Sequence, residues 1–159
     1  MAMVLQKRRV GFALFKGIHE PIEWGMPKFE DINGCFDEAR TLLHNHSPAV
    51  LVLPATDTRR SRLPKCVHEV VDRIASDAAA CGIEVVRFNR DDVRTYFAMH
   101  GAKTKQEIAE IVGKIIPVFA RCVPRPRKMW EGERHSMILF DALSLIVTFY
   151  RTVRQQPNP

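Results

Sequence analysis

Apolar residues come in short blocks along this chain, and changes in their spacing mark the elements. Val10 to Phe15 is a compact apolar run followed by Gly17, and Ile22 to Met26 alternates weakly. Separated by Lys16–Pro21, the two blocks predict a β-hairpin. Phe36, Ala39, Leu42 and Leu43 then share one helical face, with Asp31 or Asn33 placed to cap it. Ala49 to Leu53 is continuously apolar between Pro48 and Pro54. That is the pattern of a strand buried on both faces, as in the centre of a parallel sheet.

The spacing turns helical again after Pro64. Val67, Val70, Val71, Ile74 and Ala78 make a stripe that Pro64 opens and Gly82 closes. Ile83 to Arg87 predicts a further strand, and Asn89 stands where a helix cap belongs. One helix is expected from Asp91 to Met99. Another opens at Thr104, where Thr104-Lys-Gln-Glu107 has capping-box spacing and Ile108, Ile111, Val112, Ile115 and Ile116 form the apolar face. Val123 to Lys128 is a proline-interrupted basic loop, expected to be extended. A last helix is predicted from about Glu133 to Val153. Hairpin, helix, strand, helix, strand, helices is the order of an α/β sheet whose parallel strands are joined by helical crossovers.

Length and composition set bounds on this picture. With 159 residues, 46% of them hydrophobic, the chain suits one domain over 1–154 with a disordered tail at 155–159. The longest apolar run, Ser136 to Tyr150, is broken by Asp141 and is too short to cross a bilayer. Lys7-Arg8-Arg9 follows the first five residues too closely for a secretory signal. Cys35, Cys66, Cys81 and Cys122 are scattered without a C-x-x-C pair, so neither zinc nor a disulfide framework is expected. Reduced thiols and a cytoplasmic location follow from that usage. The sequence shows neither a P-loop nor a serine-nucleophile motif.

Charge is unevenly spread. Residues 1–50 hold six basic and six acidic side chains, whereas 51–159 hold eighteen and twelve, so the later part carries the whole net +6. A polyanionic partner is the expectation. Two clusters concentrate the excess: Arg59, Arg60, Arg62 and Lys65 after the central strand, and Arg121, Arg125, Arg127 and Lys128 beside Trp130 before the last helix. Loops at the carboxyl ends of strands line the ligand crevice of an open α/β sheet. Arginine forks suit phosphate, and a tryptophan stacks on a base. Lys103 and Lys105 flank a helix start and are weaker candidates.

Asp141 is the only charged residue between His135 and Arg151. A buried carboxylate is costly unless it is paired, hydrogen-bonded or bound to metal. It therefore either lies at a wetter seam or beside an arginine, or serves as a metal ligand or catalytic acid. Asp57, just past Pro54, is a candidate partner or a simple turn residue. Glu131, Glu133 and His135 precede the last helix, where acids are also favoured by the helix dipole.

The apolar Val50–Leu53 strand, the Ile83–Arg87 strand, and a last helix carrying Phe140-Asp-Ala-Leu143 resemble the RuvC-type Holliday junction resolvases of the ribonuclease H-like superfamily. The middle of the chain is the best match: Arg90-Asp-Asp-Val-Arg94, then Gly101-Ala-Lys-Thr-Lys-Gln-Glu-Ile-Ala109. The resemblance implies a three-layer α/β fold with a mixed central sheet flanked by helices. It also implies a homodimer acting on branched or structured DNA, and a pair of magnesium ions held by acids of the first strand, the next central strand and the last helix. Asp141 matches the last-helix acid. The other positions fall on Val4, Pro54 and Ile138, and the strand bearing Val4 is expected to be nearly absent.

These residues imply a nucleic-acid-binding protein with a degenerate nuclease site, or a chain lacking its true start. The alternative is an active magnesium-dependent endonuclease in which Asp141 and Asp57 are catalytic and Asp141, Asp57, Glu131 and Glu133 hold Mg2+. A third reading is a partner-binding module presenting the hairpin edge left open by the short first strand. On the first two readings Arg59, Arg60, Arg62, Lys65, Lys103, Lys105, Arg125, Arg127, Lys128 and Trp130 contact the nucleic acid.

Overall fold

The computed structural model describes residues 1–56, 63–126, 132 and 134–153. Five strands are β1 (Ala2–Gln6), β2 (Arg9–Gly17), β3 (Glu20–Gly25), β4 (Val50–Pro54) and β5 (Glu84–Phe88). Five helices are α1 (Ile32–His46), α2 (Lys65–Ala80), α3 (Arg90–Ala98), α4 (Lys105–Ile115) and α5 (Met137–Thr152), with a 3-10 helix at Pro117–Cys122. The strands form one sheet in the order β3-β2-β1-β4-β5. β1, β2 and β3 pair antiparallel, while β4 runs parallel to both β1 and β5. The sheet is therefore mixed, and the Val50–Leu53 run lies in its parallel part, as its pattern predicts.

The first strand corrects the sequence reading. β1 is a full five-residue strand, with Val4 opposite Gly11 and its main chain continuing onto β4 through the Val52 N–H to Met1 carbonyl bond of 2.8 Å. It fills the place between β2 and β4, so the inner edge of the hairpin is covered and is no binding surface. Met-Ala-Met-Val-Leu lacks the β-branched density of the later strands, which is why its pattern is faint. Its backbone bonds on both sides, rather than propensity, hold it.

Alternation along the strands sorts side chains into two layers. Met1, Met3 and Leu5 join Leu51 and Leu53 beneath α1 and α2. Ala2, Val4, Ala13, Phe15, Val50 and Val52 face the other way, toward α3, α4, the 3-10 helix and α5. Three layers result: two helices, the sheet, and the remaining helices.

Caps form where the sequence predicts them. Asp31 accepts from the Asn33 and Gly34 N–H groups at α1, and Asn89 and Thr104 each build a capping box, with Asp92 and Glu107. The last helix is shorter than predicted, opening at Met137 rather than near Glu133. The helix is buried all round from Met137 to Phe149 except at Asp141. Its hydroxyls are satisfied along the helix itself: Ser144 donates to the Asp141 carbonyl and Thr148 to that of Ser144, at 2.7 and 2.8 Å. Such back-bonding removes the cost of a buried hydroxyl without calling on water.

Gly11 sets how closely α5 lies on the sheet. A Cβ there would stand 2.5 Å from the Ile138 carbonyl oxygen, so only glycine admits the first turn of α5 onto β2. The helix then crosses the sheet alongside β2, and the Tyr150 hydroxyl reaches the Lys16 carbonyl at 3.2 Å. This places the start of α5, and Asp141 on its second turn, at the end of the sheet where β1 and β4 finish.

Candidate functional site

Asp141 projects from α5 at that end of the sheet, with its side chain 26% exposed. It lies at the wetter seam of an otherwise buried helix. The Lys105 ammonium donates to Asp141 Oδ2 at 3.0 Å. Among the described residues, the cation beside it is a lysine from α4. Lys105, a weak candidate by sequence, is the residue that reaches the centre of the site.

The start of α4 explains how. Thr104 Oγ1 accepts from the Glu107 N–H, while the Glu107 carboxylate accepts from the Lys103 and Thr104 N–H groups at 2.7 and 2.8 Å. The bond from the Lys103 N–H, followed by those from Thr104, holds the Glu107 carboxyl below its ordinary range. This closed box fixes the direction in which Lys105, the first helical residue, leaves the backbone. Gln106 then donates to the Pro124 carbonyl at 2.6 Å. That bond ties the opening of α4 to the segment after the 3-10 helix and brings Arg125, next in sequence to Pro124, beside it. Lys103 and Arg125 are exposed there, so three predicted cations from two segments gather at one corner.

Around Asp141 the positions where the family resemblance puts acids are apolar. Val4 is in register with Gly11 and packs toward α5. Ala2 pairs with Val52, so two residues further on Val4 comes alongside Pro54, the end of β4. Ile138, one turn before Asp141, is buried against β2. Magnesium needs several hard oxygen ligands. Hydrocarbon at three positions and a carboxylate already holding an ammonium do not fit a magnesium pair. Among the described residues no three His, Cys, Asp or Glu side chains gather as a metal set.

Asp57, Arg59, Arg60, Arg62, Arg127, Lys128, Trp130, Glu131 and Glu133 lie outside the described residues. Lys65 opens α2 on the other layer, largely exposed and 3.6 Å from Glu69 one turn on. It is not joined to the Lys105 corner by any described contact. His46 pairs with Glu23 at 3.1 Å and belongs to the scaffold.

One network was not foreseen from sequence. Arg87, near the end of β5, donates to Asp72 on α2 at 2.6 Å and to Thr56, just past β4, at 2.9 Å. Thr56 in turn donates to Asp72 at 2.9 Å. Burial opposes ionisation of Asp72, but the bonds from Arg87 and Thr56 outweigh it and hold the carboxyl below its usual value. The network pins the chain where it leaves β4. Its members are 15 to 31 residues apart, and a charged residue ending a strand was the one available hint.

No protein-family model matches the sequence, and no curated protein matches it either. Two solved structures of Thermus thermophilus RuvC are similar to the chain. The structure in complex with a Holliday junction substrate is 17% identical with a TM-score of 0.63, over 92% of this chain and 90% of that one. The other is 18% identical with a TM-score of 0.64, over 94% of each chain. Topology, layer order and these likenesses together give the chain the ribonuclease H-like fold of RuvC.

Proposed function

We propose that this chain is a RuvC-like nucleic-acid-binding protein whose nuclease site is degenerate. The observation that carries the reading is the Lys105–Asp141 pair: the one acid retained at the family's positions holds an ammonium instead of sharing a metal. Val4, Pro54 and Ile138 surround it with hydrocarbon, so the charge needed to bind two magnesium ions is missing from these strands and this helix. Phosphodiester hydrolysis by a metal pair requires ligands that activate water and stabilise the leaving oxygen. Binding requires only cations on the right face, and Lys103, Lys105 and Arg125 supply them at the corner nearest Asp141. The bound ligand on this reading is branched or structured DNA, held by a homodimer whose two basic faces act on one substrate.

Fluorescence anisotropy of labelled single-stranded and four-way-junction DNA at low salt tests the binding. Phosphate contacts are strongest there, and absence of binding to either probe sinks the proposal. Incubation of the junction with magnesium is expected to leave it uncut. Cleavage that disappears in Asp141→Asn would restore the active-nuclease reading.

A further inference from the structure

Lys7 and Arg8 form the turn from β1 to β2, at the end of the sheet where α5 begins. The segment after β3 folds back across this turn. The Phe29 N–H donates to the Arg8 carbonyl at 2.8 Å, the Val10 N–H to Pro27 at 3.2 Å, and Arg9 pairs with Lys28 in an antiparallel bridge. Arg8 Nε also donates to the Phe29 carbonyl at 3.3 Å. With Gln6 and His135, which precedes α5, the four cations line a shallow groove of about 380 Å3.

Main-chain bonds hold Lys28 directly opposite Arg9, and like charges so placed repel. Among the described residues no carboxylate lines the groove. Among the described residues none of the four cations is ion-paired with an acid. Backbone geometry thus concentrates positive charge that a multiply charged anion would relieve. Arginine offers a planar fork to phosphate oxygens and lysine a compact charge. Four cations lining one open groove exceed what one isolated phosphate can use, and suit the several phosphates of a strand. The sequence shows Lys7-Arg8-Arg9 plainly. Lys28, nineteen residues beyond Arg9 in the numbering, joins them only through the fold.

We propose that this groove holds the phosphodiester backbone of a nucleic-acid strand directly on Lys7, Arg8, Arg9 and Lys28, with no divalent metal between. It rests on the nucleic-acid-binding reading and places a second contact region at the first hairpin, within the first fifty residues, whose net charge is zero.

The experiment is a salt series of DNA binding by anisotropy in EDTA, using the same single-stranded and junction probes. Arg9→Gln combined with Lys28→Gln is compared with Arg94→Gln combined with Lys114→Gln, which removes equal charge from exposed positions elsewhere. The groove variant should bind several-fold more weakly. Its slope of log affinity against log salt on single strands should shrink by about 1.4, from roughly 0.7 per lost phosphate contact. The control should keep nearly the wild-type slope. Equal behaviour of the two variants, with wild-type binding intact, overturns the groove and leaves the broader reading standing. Failure of the wild type to bind either probe removes the broader reading itself. Loss of wild-type binding in EDTA, or displacement of DNA by polyglutamate as readily as by unlabelled DNA, also overturns the groove. The groove variant relieves a repulsion, so it should melt no lower than the wild type. Should it fail to fold, Lys7→Gln with Arg8→Gln at the exposed turn gives the same reading.

Discussion

The Lys105 ammonium lies 3.0 Å from the Asp141 carboxylate, joining the first residue of α4 to the second turn of α5. With side chains 43% and 26% exposed, the pair is solvent-screened and contributes on the order of 0.2–1 kcal/mol. Each buried leucine, isoleucine or phenylalanine of α5 contributes roughly 1.5–3 kcal/mol. Packing therefore holds α5, and the ion pair decides only what Asp141 is free to bind.

That division predicts the outcome of changing Asp141. Asp141→Asn should fold normally and lose no more than about 1 kcal/mol, read by urea denaturation. Magnesium should not raise the melting temperature of the wild type or of this variant. Restoring acids on the strands, as Val4→Asp with Pro54→Glu, should lower stability without metal and make it rise with magnesium. At a hundredfold excess over the dissociation constant the rise would be about 2.7 kcal/mol. A magnesium-dependent rise in the wild type would contradict the proposed degeneracy.

Gly11 should tolerate no side chain. Gly11→Ala forces its methyl against the Ile138 carbonyl, and overpacking of this kind costs about 1–3 kcal/mol. Calorimetry should show a melting temperature lowered by roughly 2–4 °C for each kcal/mol. An unchanged melting temperature would mean that α5 does not lie as close to β2 as described.

Acid should weaken the link between β4, α2 and β5. The Asp72 carboxyl titrates below its unfolded value, so its contribution is complete above that value and is lost as pH falls through the lowered one. The window lies below about pH 4. Asp72 is half-exposed, so the effect is screened to under about 1 kcal/mol. Asp72→Asn should flatten the acid limb of stability against pH. An acid limb identical to that of the wild type would remove Asp72 from the network's account.

Thiol chemistry should separate the cysteines. Cys66, Cys81 and Cys122 are exposed, whereas Cys35 lies on the buried face of α1 and burial, aided by the Asp31 charge, raises its thiol to about 11. The thiolate is the reactive form. Ellman's reagent on native protein near neutral pH should therefore titrate three thiols, with the fourth appearing only on denaturation. Four fast-reacting thiols would mean that the α1 layer opens.

Local order was legible in the residues. Alternation, helical stripes and caps place β2, β3, β4, β5 and all five helices close to where they stand, because each signal is carried by neighbours within one turn or one strand. β1 was not legible. Its pairing with β2 and β4 depends on partners at a distance, and its own side chains state no strong preference.

The candidate site divides in the same way. That Asp141 is isolated on an apolar helix, and that Val4, Pro54 and Ile138 are not acids, follows from the sequence and the family resemblance. Which cation faces Asp141 was decided by the tertiary structure, because Lys105 is 36 residues away and only the packing of α4 on α5 brings it near. The basic groove is similar. Lys7, Arg8 and Arg9 are adjacent in sequence, but their opposition to Lys28 is made by backbone bonds across a fold, and side-chain identity alone carries no trace of it.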